Sequence, residues 1–524
     1  MKNKNLLSNI VFFSVLCVAA ALLFQGISHS FDGYLAYNEA WYSLIAEHYG
    51  GLSSFMFPTV KTGLVDLNLP PFFSYLLHIV FRISGGSEPA YRLVPILSSL
   101  FSLVLIYLTG KKLFSKKAGI IAAALAGTSP VFILTGRNIQ TDATYLCLAL
   151  ASFYFFIRAT NEKSIKNWLV SGLFLGLSLF TKQFAGTLFI IYAVVLVLSA
   201  GGAKNLNRKF IALIATAVII PGVFYLYHLL LNPEAIYASQ RFGAAGLAEI
   251  PSLNQFSALI VESLFAIGPL FFILTLIAIP INIINGEIHR EKIIPFSLTA
   301  FFCFFLVFHK HSYYVYSVVP FAALFCGAAL DKMKSRVSIP VLLPVVTVSI
   351  LGGLLVLGTL KFGYQRFPLD ICSKSSTGET NHALIVEHGI LANYEPVLDY
   401  YCRNMEIFDI DALKKGPSRR ISPENEKHVY LLIVTDAVPD EESSLLTTYY
   451  RTPLGFSLFG FGIGYIPTPN RSFTPARLVF DRNAPVKWGY YPIVRFPSFL
   501  LTDIPFGYHV SIENGKIEVL KNRR

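Results

Sequence analysis

The sequence predicts an α-helical polytopic membrane protein of about eleven spans, followed by a C-terminal extracytoplasmic α/β domain. Three observations predict it. Of 524 residues, 54% are hydrophobic and only 14% are charged, where ordinary soluble domains carry about 25% charged residues. Mean hydropathy is +0.56, and it is concentrated in repeated apolar runs. The lysines and arginines between those runs fall on alternate sides. Open sheets are excluded as the spanning element, because their edges would leave backbone groups unpaired in hydrocarbon.

The runs lie near residues 9–29, 91–110, 118–136, 142–160, 167–181, 184–200, 210–231, 257–285, 293–309, 313–331 and 337–362. The first follows Lys2 and Lys4 but shows no small-residue cleavage site, so it reads as a retained helix rather than a signal peptide. The net charge of +12 does not indicate nucleic-acid binding. Much of it sits in short loops: Lys111, Lys112, Lys116 and Lys117; Lys163 and Lys166; Lys204, Arg208 and Lys209; Arg290 and Lys292; Lys332, Lys334 and Arg336. The opposite loops hold few. Positive loops stay inside, so the N-terminus is expected in the cytoplasm, with the protein multi-pass in the cell membrane. The last span then delivers the tail to the outer face.

Two outer loops are long, about 30–90 and 232–256. The first contains Pro70-Pro71 and then the apolar stretch Phe72 to Arg82, too short to span. An interfacial or re-entrant helix beginning at the prolines is expected, since proline suits a first helical turn. The region 1–362 is therefore the membrane domain, and 363–524 is a soluble outer domain. In that tail, Ala383–Val386 and Val429–Val434 read as buried strands with a helix between them over Tyr394–Arg403. Later runs near Phe456–Ile466 and Ala476–Phe480 suggest more strands. Of six cysteines, Cys17, Cys147, Cys303 and Cys326 fall in spans as small apolar fillers. Cys372 and Cys402 lie in the tail, where they form either a disulfide or two free thiols.

Polar residues near membrane depth are expensive and each needs a reason. Asn38 and Glu39 stand just beyond the first span, before Trp41 and Tyr42. Glu39 is either the start of an active site or a solvated carboxylate beside interfacial anchors. Asp66 is a second carboxylate of the same loop. Arg137 and Asp142 flank the outer junction of the third and fourth spans. They either form an ion pair closing the loop or orient a catalytic group or metal. Lys182 sits between two short spans and needs an anionic partner unless it snorkels. Arg241 lies in the second long loop and could recognise phosphate through its planar fork. Lys310 lies at an outer turn between His309 and His311, which lack a third metal ligand. Together these describe an outward-facing cavity with one or two carboxylates and several cations, suited to a phosphate-bearing lipid donor and a hydroxyl or amine acceptor.

Over residues 1–335 the chain resembles the GT-C polyprenyl-phosphate-dependent glycosyltransferases, which include dolichyl-phosphate-mannose protein mannosyltransferases and lipid A aminoarabinose transferases. The resemblance is carried by Asn38-Glu39-Ala40-Trp41-Tyr42 with Ile45-Ala46, by Leu69-Pro70-Pro71-Phe72, and by Arg92-Leu93-Val94-Pro95. It continues in Ser129-Pro130 with Arg137 and Asp142, in Phe180-Thr181-Lys182 with Gly186, in Gln240-Arg241-Phe242, and in Lys310, Tyr313, Tyr314 and Pro320. The chain departs from the pattern at two places. Asn38 stands where the family has the Asp usually assigned as base, and Leu69 stands where it has Lys or His before the prolines.

The resemblance implies an inverting transfer of a sugar from a polyprenyl phosphate to an acceptor hydroxyl on a glycan, lipid or protein at the outer face. It assigns the base to Glu39 or Asp66, beside Asn38. It assigns the donor phosphate to Lys182, Arg241 and Lys310, and orientation of the acceptor or loop to Arg137, Asp142 and Tyr42. No cofactor is called for, and a divalent cation is left open. A transporter or flippase of lipid-linked sugars would need a similar cavity, but also broken helices in two related halves, which the sequence does not show. A non-catalytic membrane scaffold displaying the tail is the third reading, supported by Asn38.

Overall fold

A computed structural model describes residues 2–28, 36–49, 70–162, 164–198, 207–231, 266–284, 312–333 and 335–360, and in the tail 382–386, 396–403, 405–409, 419–421, 429–434, 449–450, 455–458, 461–465, 499–503, 508–513 and 516–521, with a few isolated positions such as Phe31. The chain divides into two compact units. One comprises Met1–His29 with Tyr42–Leu357, and the other Ser30–Trp41 with Gly358–Arg524.

The first unit is helical. Its elements are α1 (Lys2–Phe24), α2 (Ala36–Glu47), α3 (Phe72–Ser84), α4 (Glu88–Leu113), α5 (Lys116–Thr128), α6 (Pro130–Thr135), α7 (Thr141–Glu162), α8 (Ile165–Leu179), α9 (Thr187–Leu198), α10 (Arg208–Leu231), α11 (Pro269–Ile284), α12 (Val319–Lys332) and α13 (Ser335–Leu360). The division between the units falls inside α2, between Trp41 and Tyr42. Single 3-10 turns precede α9 at Gln183–Gly186 and α12 at Ser312–Ser317. Among the described residues, α1 from Leu6, α4, α7 and α10 are long and apolar enough to cross a membrane, and several shorter apolar helices accompany them. Leu6, Leu7, Ile10 and Phe13 on α1, and Ile211, Ile219 and Val223 on α10, are exposed. In a membrane this surface faces lipid rather than water. The expected span at 293–309 lies outside the described residues.

Two expectations change in detail. The run 118–136 is not one helix. It breaks at Ser129, whose backbone is extended, and restarts at Pro130. A proline has no N–H for the helix ladder and its ring collides with the carbonyl four residues back, so it starts a helix rather than continuing one. The Ser129 hydroxyl turns away and donates to the Ile267 carbonyl at 2.9 Å. The run 313–331 likewise begins as a 3-10 turn and becomes α-helical only at Val319. The helix expected after Pro70-Pro71 is α3, with Pro71 at its N-cap and Gly85, at φ 75°, closing its C-terminus.

Without a hydrophobic drive between helices in lipid, close backbone packing and small residues hold a bundle together. A Cβ at Gly110 of α4 would lie 2.7 Å from the Gly119 Cα of α5, and one at Gly327 of α12 would lie 2.5 Å from the Ala118 carbonyl. Helix α5 is consequently buried from Ala118 to Thr128, apart from a partly exposed Ile120. Gly172 and Gly176 bring α8 against α10 in the same way, with Cβ positions 2.5 Å from the Leu213 carbonyl and 2.8 Å from that of Ala217.

Charged loops gather at one end of this unit. Lys112 at the end of α4 meets Glu162 at the end of α7 at 3.3 Å. Glu162 also takes Arg158 at 2.9 Å and the Asn167 amide at the start of α8 at 2.9 Å. Lys117 at the start of α5 donates to the carbonyls of Asp331 in the last turn of α12 and of Met333 just after it. Arg92 lies near the other end of α4, whose 26 residues make it about 39 Å long.

In the second unit, the strands among the described residues form three sheets. A five-stranded sheet has the order β2-β1-β4-β8-β5, a three-stranded sheet β10-β9-β3, and β6 pairs with β7 as a hairpin. β1 (His382–Val386) runs parallel to β2 (Met405–Asp409) and to β4 (Val429–Val434). Residues 396–401 between β1 and β2 are helical, as a parallel pair requires a crossover. β8 (Phe499–Asp503) is antiparallel to β4 and to β5 (Tyr449–Tyr450). β9 (Tyr508–Glu513) pairs antiparallel with β10 (Lys516–Lys521) and β3 (Arg419–Ile421). β6 (Gly455–Leu458) and β7 (Phe461–Tyr465) fall on the run 456–466. The strand expected near Ala476–Phe480 lies outside the described residues. Cys402 is disulfide-bonded, while Cys17, Cys147 and Cys326 are free. The Cys402 partner lies outside the described residues, as does Cys372.

The glycine contacts predict a contrast within the helical unit. Gly172→Ala should destabilise the protein by about 1–3 kcal/mol through overpacking. Gly222→Ala should be near neutral, because its Cβ would meet only the Val218 side chain at an ordinary 3.7 Å. Unfolding midpoints in mixed detergent micelles measure both; equal shifts would contradict the packing.

Candidate active site

The end of the helical unit opposite Lys112 and Glu162 gathers buried cations. Helix α1 runs out into a turn with Gly26 at φ 69°, leaving carbonyls that no helix partner can satisfy. Arg92, fully buried on α4, donates to the Ile27 carbonyl at 2.9 Å. Arg137, buried after α6, donates to the Gly26 carbonyl at 3.0 Å. Two guanidinium groups therefore meet the negative end of the α1 dipole, where cations are favoured. Gly136 accepts from Ser99, whose hydroxyl is also 3.3 Å from that of Tyr316.

Arg137 and Asp142 are not an ion pair. Asp142 opens the first turn of α7 and pairs instead with Lys182, whose Nζ lies 2.8 Å from Oδ1. The Lys182 side chain is 9% exposed and that of Asp142 3%. Lys182 follows the end of α8 and caps the 3-10 turn before α9. Its ammonium also lies 4.4 Å from the Tyr314 ring centre and 5.6 Å from that of Tyr145, within the range where an aromatic face attracts a cation. The Tyr145 hydroxyl bonds to Ser317, and the Tyr145 carbonyl accepts from Ser178 on α8 at 2.8 Å. Burial alone would pull the Lys182 pKa down, but Asp142, helped by Tyr314, outweighs it and holds the pKa above the ordinary lysine value.

The first outer loop reaches this turn. The Phe72 N–H at the start of α3 donates to the Phe180 carbonyl at 3.3 Å, two residues before Lys182. The Phe180 ring then packs edge-on against Phe224 of α10 at 5.4 Å. Next along α3, Phe73 packs edge-on against Tyr42 of α2 at 5.3 Å. His78 donates from Nδ1 to the Ala46 carbonyl at 2.8 Å, and Tyr91 reaches Glu47 at 3.4 Å. Tyr42 is thus a packing residue between α2 and α3. Glu39 lies in the first turn of α2, where the helix dipole favours a carboxylate, and is 0% exposed. It is not a solvated surface carboxylate. Asn38 beside it is half-buried.

Of the nine residues singled out from sequence, Asn38, Glu39, Tyr42, Arg137, Asp142 and Lys182 are placed. Asp66, Arg241 and Lys310 lie outside the described residues. Sequence reasoning missed the aromatic shelf of Tyr145 and Tyr314 over Lys182, and the role of Arg92 at the α1 terminus. An arginine within an apolar run was the available signal for Arg92. Among the described residues no group of three or more His, Cys, Asp or Glu is arranged to hold a metal ion.

Residues 68–228 match the family model for dolichyl-phosphate-mannose-protein mannosyltransferase. The lipopolysaccharide core galacturonosyltransferase RgtB of Rhizobium johnstonii is 29% identical over 170 residues, covering 30% of this chain and 33% of that protein. An uncharacterized protein of Aquifex aeolicus is 24% identical over 306 residues, covering 58% of this chain and 56% of its own length. The chain thus spans between a third and just over half of these curated relatives. Among solved structures, ArnT from Cupriavidus metallidurans bound to undecaprenyl phosphate is similar with a TM-score of 0.61 at 15% identity, covering 84% of this chain and 95% of that one. The oligosaccharyltransferase AglB from Archaeoglobus fulgidus, in complex with an inhibitory peptide and a dolichol-phosphate, is similar with a TM-score of 0.50 at 13% identity, covering 87% and 74%.

The buried pair predicts a double-mutant signature. Lys182→Met or Asp142→Asn alone should cost about 3–5 kcal/mol, because each leaves the other member unbalanced. Combining them should cost much less than the sum, as contacting residues are non-additive. Chemical unfolding of the four proteins measures the coupling, and additive losses would dissolve the pair as an energetic unit.

Proposed function

Given a chain with the fold of the GT-C polyprenyl-phosphate-sugar glycosyltransferases, we propose that it is a membrane enzyme transferring a hexosyl or pentosyl unit from a polyprenyl phosphate to an acceptor hydroxyl with inversion. The observation that carries this reading is the fold shared along 84% of the chain with a protein solved bound to undecaprenyl phosphate. The family match over 68–228 and the galacturonosyltransferase relative support it. The acceptor is a glycan, lipid or protein.

In this reading Glu39 is the base, with Asp66 as the alternative. The base takes the proton of the acceptor hydroxyl as its oxygen attacks the anomeric carbon from the face opposite the phosphate. The bond from that carbon to the phosphate oxygen breaks, and polyprenyl phosphate leaves with the negative charge. The full burial of Glu39 supports the assignment, since a base acts best where water is excluded. Asn38 cannot fill the role, because an amide does not take a proton at neutral pH.

The leaving phosphate needs fixed positive charge. Lys182 has three N–H donors; Asp142 takes one and leaves others for phosphate oxygens. Asp142 then aims the ammonium rather than the acceptor. Arg241 and Lys310 complete the phosphate site. Arg137 orients the loop by holding the end of α1.

The charged loops gathered at Lys112 and Glu162 would face the cytoplasm, and the tail would lie outside. The disulfide at Cys402 supports an oxidising compartment for the tail. Cys372 is the proposed partner.

Purified protein in proteoliposomes, given labelled polyprenyl-phosphate sugars and acceptors, should transfer sugar. Glu39→Gln should lower kcat by about 10²–10⁴-fold, the range of a general base, with Asp66→Asn affecting it less. No transfer with several donors, together with unchanged cellular glycans in both variants, would remove the enzyme reading.

A further inference from the structure

The segment that carries Asn38 and Glu39 belongs to the same compact unit as the tail. Ser30–Trp41 groups with Gly358–Arg524. Its anchor is visible. Phe31, five residues before α2 begins, is fully buried. Its backbone N–H donates to the Tyr401 hydroxyl at 2.6 Å. Its ring lies 4.5 Å from that of Tyr400 and 5.6 Å from that of Tyr401. The two tyrosines meet edge to face at 5.0 Å. A buried backbone N–H needs a partner, and here a side chain from 370 positions away supplies it.

The tyrosines are themselves held in place. They end the helix at 396–401, and the Cys402 N–H still reaches the Leu398 carbonyl at 2.7 Å. Cys402 is buried and disulfide-bonded. The Arg403 guanidinium lies over the Tyr400 ring at 5.1 Å and donates to the Tyr400 carbonyl at 3.0 Å. The turn Tyr400-Tyr401-Cys402-Arg403 is therefore pinned covalently, by stacking and by hydrogen bonds, and its Tyr401 hydroxyl accepts from the main chain at Phe31, in the segment leading to Glu39.

We propose that Tyr401 is a positioning residue for Glu39, and that the disulfide-bonded tail sets the register of the first outer segment. The inference rests on reading Glu39 as the base. A base must lie within hydrogen-bond reach of the proton it removes, and a displacement of about 1 Å can cost on the order of a hundredfold in rate. Losing one of several anchors should cost less. The tail then acts on the chemical step through the main chain.

Tyr401→Phe tests this in the full-length protein in proteoliposomes, because it removes the hydroxyl and keeps the ring. We expect kcat to fall about tenfold. The donor KM should hold within about twofold, with binding of polyprenyl phosphate alone and the unfolding midpoint both unchanged. Amide exchange read by mass spectrometry should rise in peptides covering 31–41 and stay level in 88–113. Reducing the wild-type protein with a membrane-impermeant phosphine should reproduce the pattern. An unchanged kcat, or a raised donor KM at constant kcat, would overturn the proposal, as would unchanged exchange in 31–41. If the wild-type protein transfers no sugar from any donor, the glycosyltransferase reading fails and the assignment to Glu39 with it, while the exchange data still decide whether Tyr401 holds the segment.

Discussion

A charge buried in a medium of low dielectric must meet an opposite charge or a set of dipoles, because isolated ionic burial costs far more than a fold can supply. The helical unit meets this demand in two ways. Lys182 takes a carboxylate, Asp142, under the ring of Tyr314. Arg92 and Arg137 take the exposed carbonyls of Ile27 and Gly26 at the end of α1. The second solution is reciprocal. A helix ending inside protein leaves acceptors without donors, and a buried guanidinium has donors without acceptors. Placing one on the other gives each carbonyl a donor and each guanidinium an acceptor, and fixes where the chain leaves α1.

These pairings depend on helices held at fixed separation. Glycines at 110, 119, 172, 176 and 327 let main chains come close enough that a methyl group would collide with the neighbouring backbone. Helix α5 can then be buried along most of its length, and α7 and α8 can present Asp142 and Lys182 to each other from their adjoining ends. The break at Ser129-Pro130 belongs to the same geometry. It frees the Ser129 hydroxyl to cap the Ile267 carbonyl, and it turns α6 so that Arg137 approaches α1.

The first outer loop is tied at both of its described ends. Past Pro71 it is fastened to the end of α8 through the Phe72 N–H and to α2 through Phe73 and Tyr42. Before α2 it is fastened within the tail unit through Phe31. A buried carboxylate such as Glu39 requires a rigid surround, since mobile surroundings would admit water and weaken its electrostatic role.

By itself the sequence determined the helical membrane architecture, the short helix after Pro70-Pro71, and the strands at β1 and β4. Each of these is written in contiguous residues, through hydropathy over a bilayer's width, proline geometry or β-branched runs. It also marked Glu39, Arg137, Asp142 and Lys182, because ionisable residues beside apolar runs are conspicuous. Partners were not legible. Arg137 and Asp142 are five residues apart, and the sequence left them as either an ion pair or two orienting groups. Yet the turn between them points the arginine at α1, while the aspartate meets a lysine 40 positions away. Nor could a reading along the chain join Phe31 to Tyr401. Only the tertiary structure decided these, because which charge neutralises which depends on the approach of helices and strands whose contacts are set by packing, not by distance along the sequence.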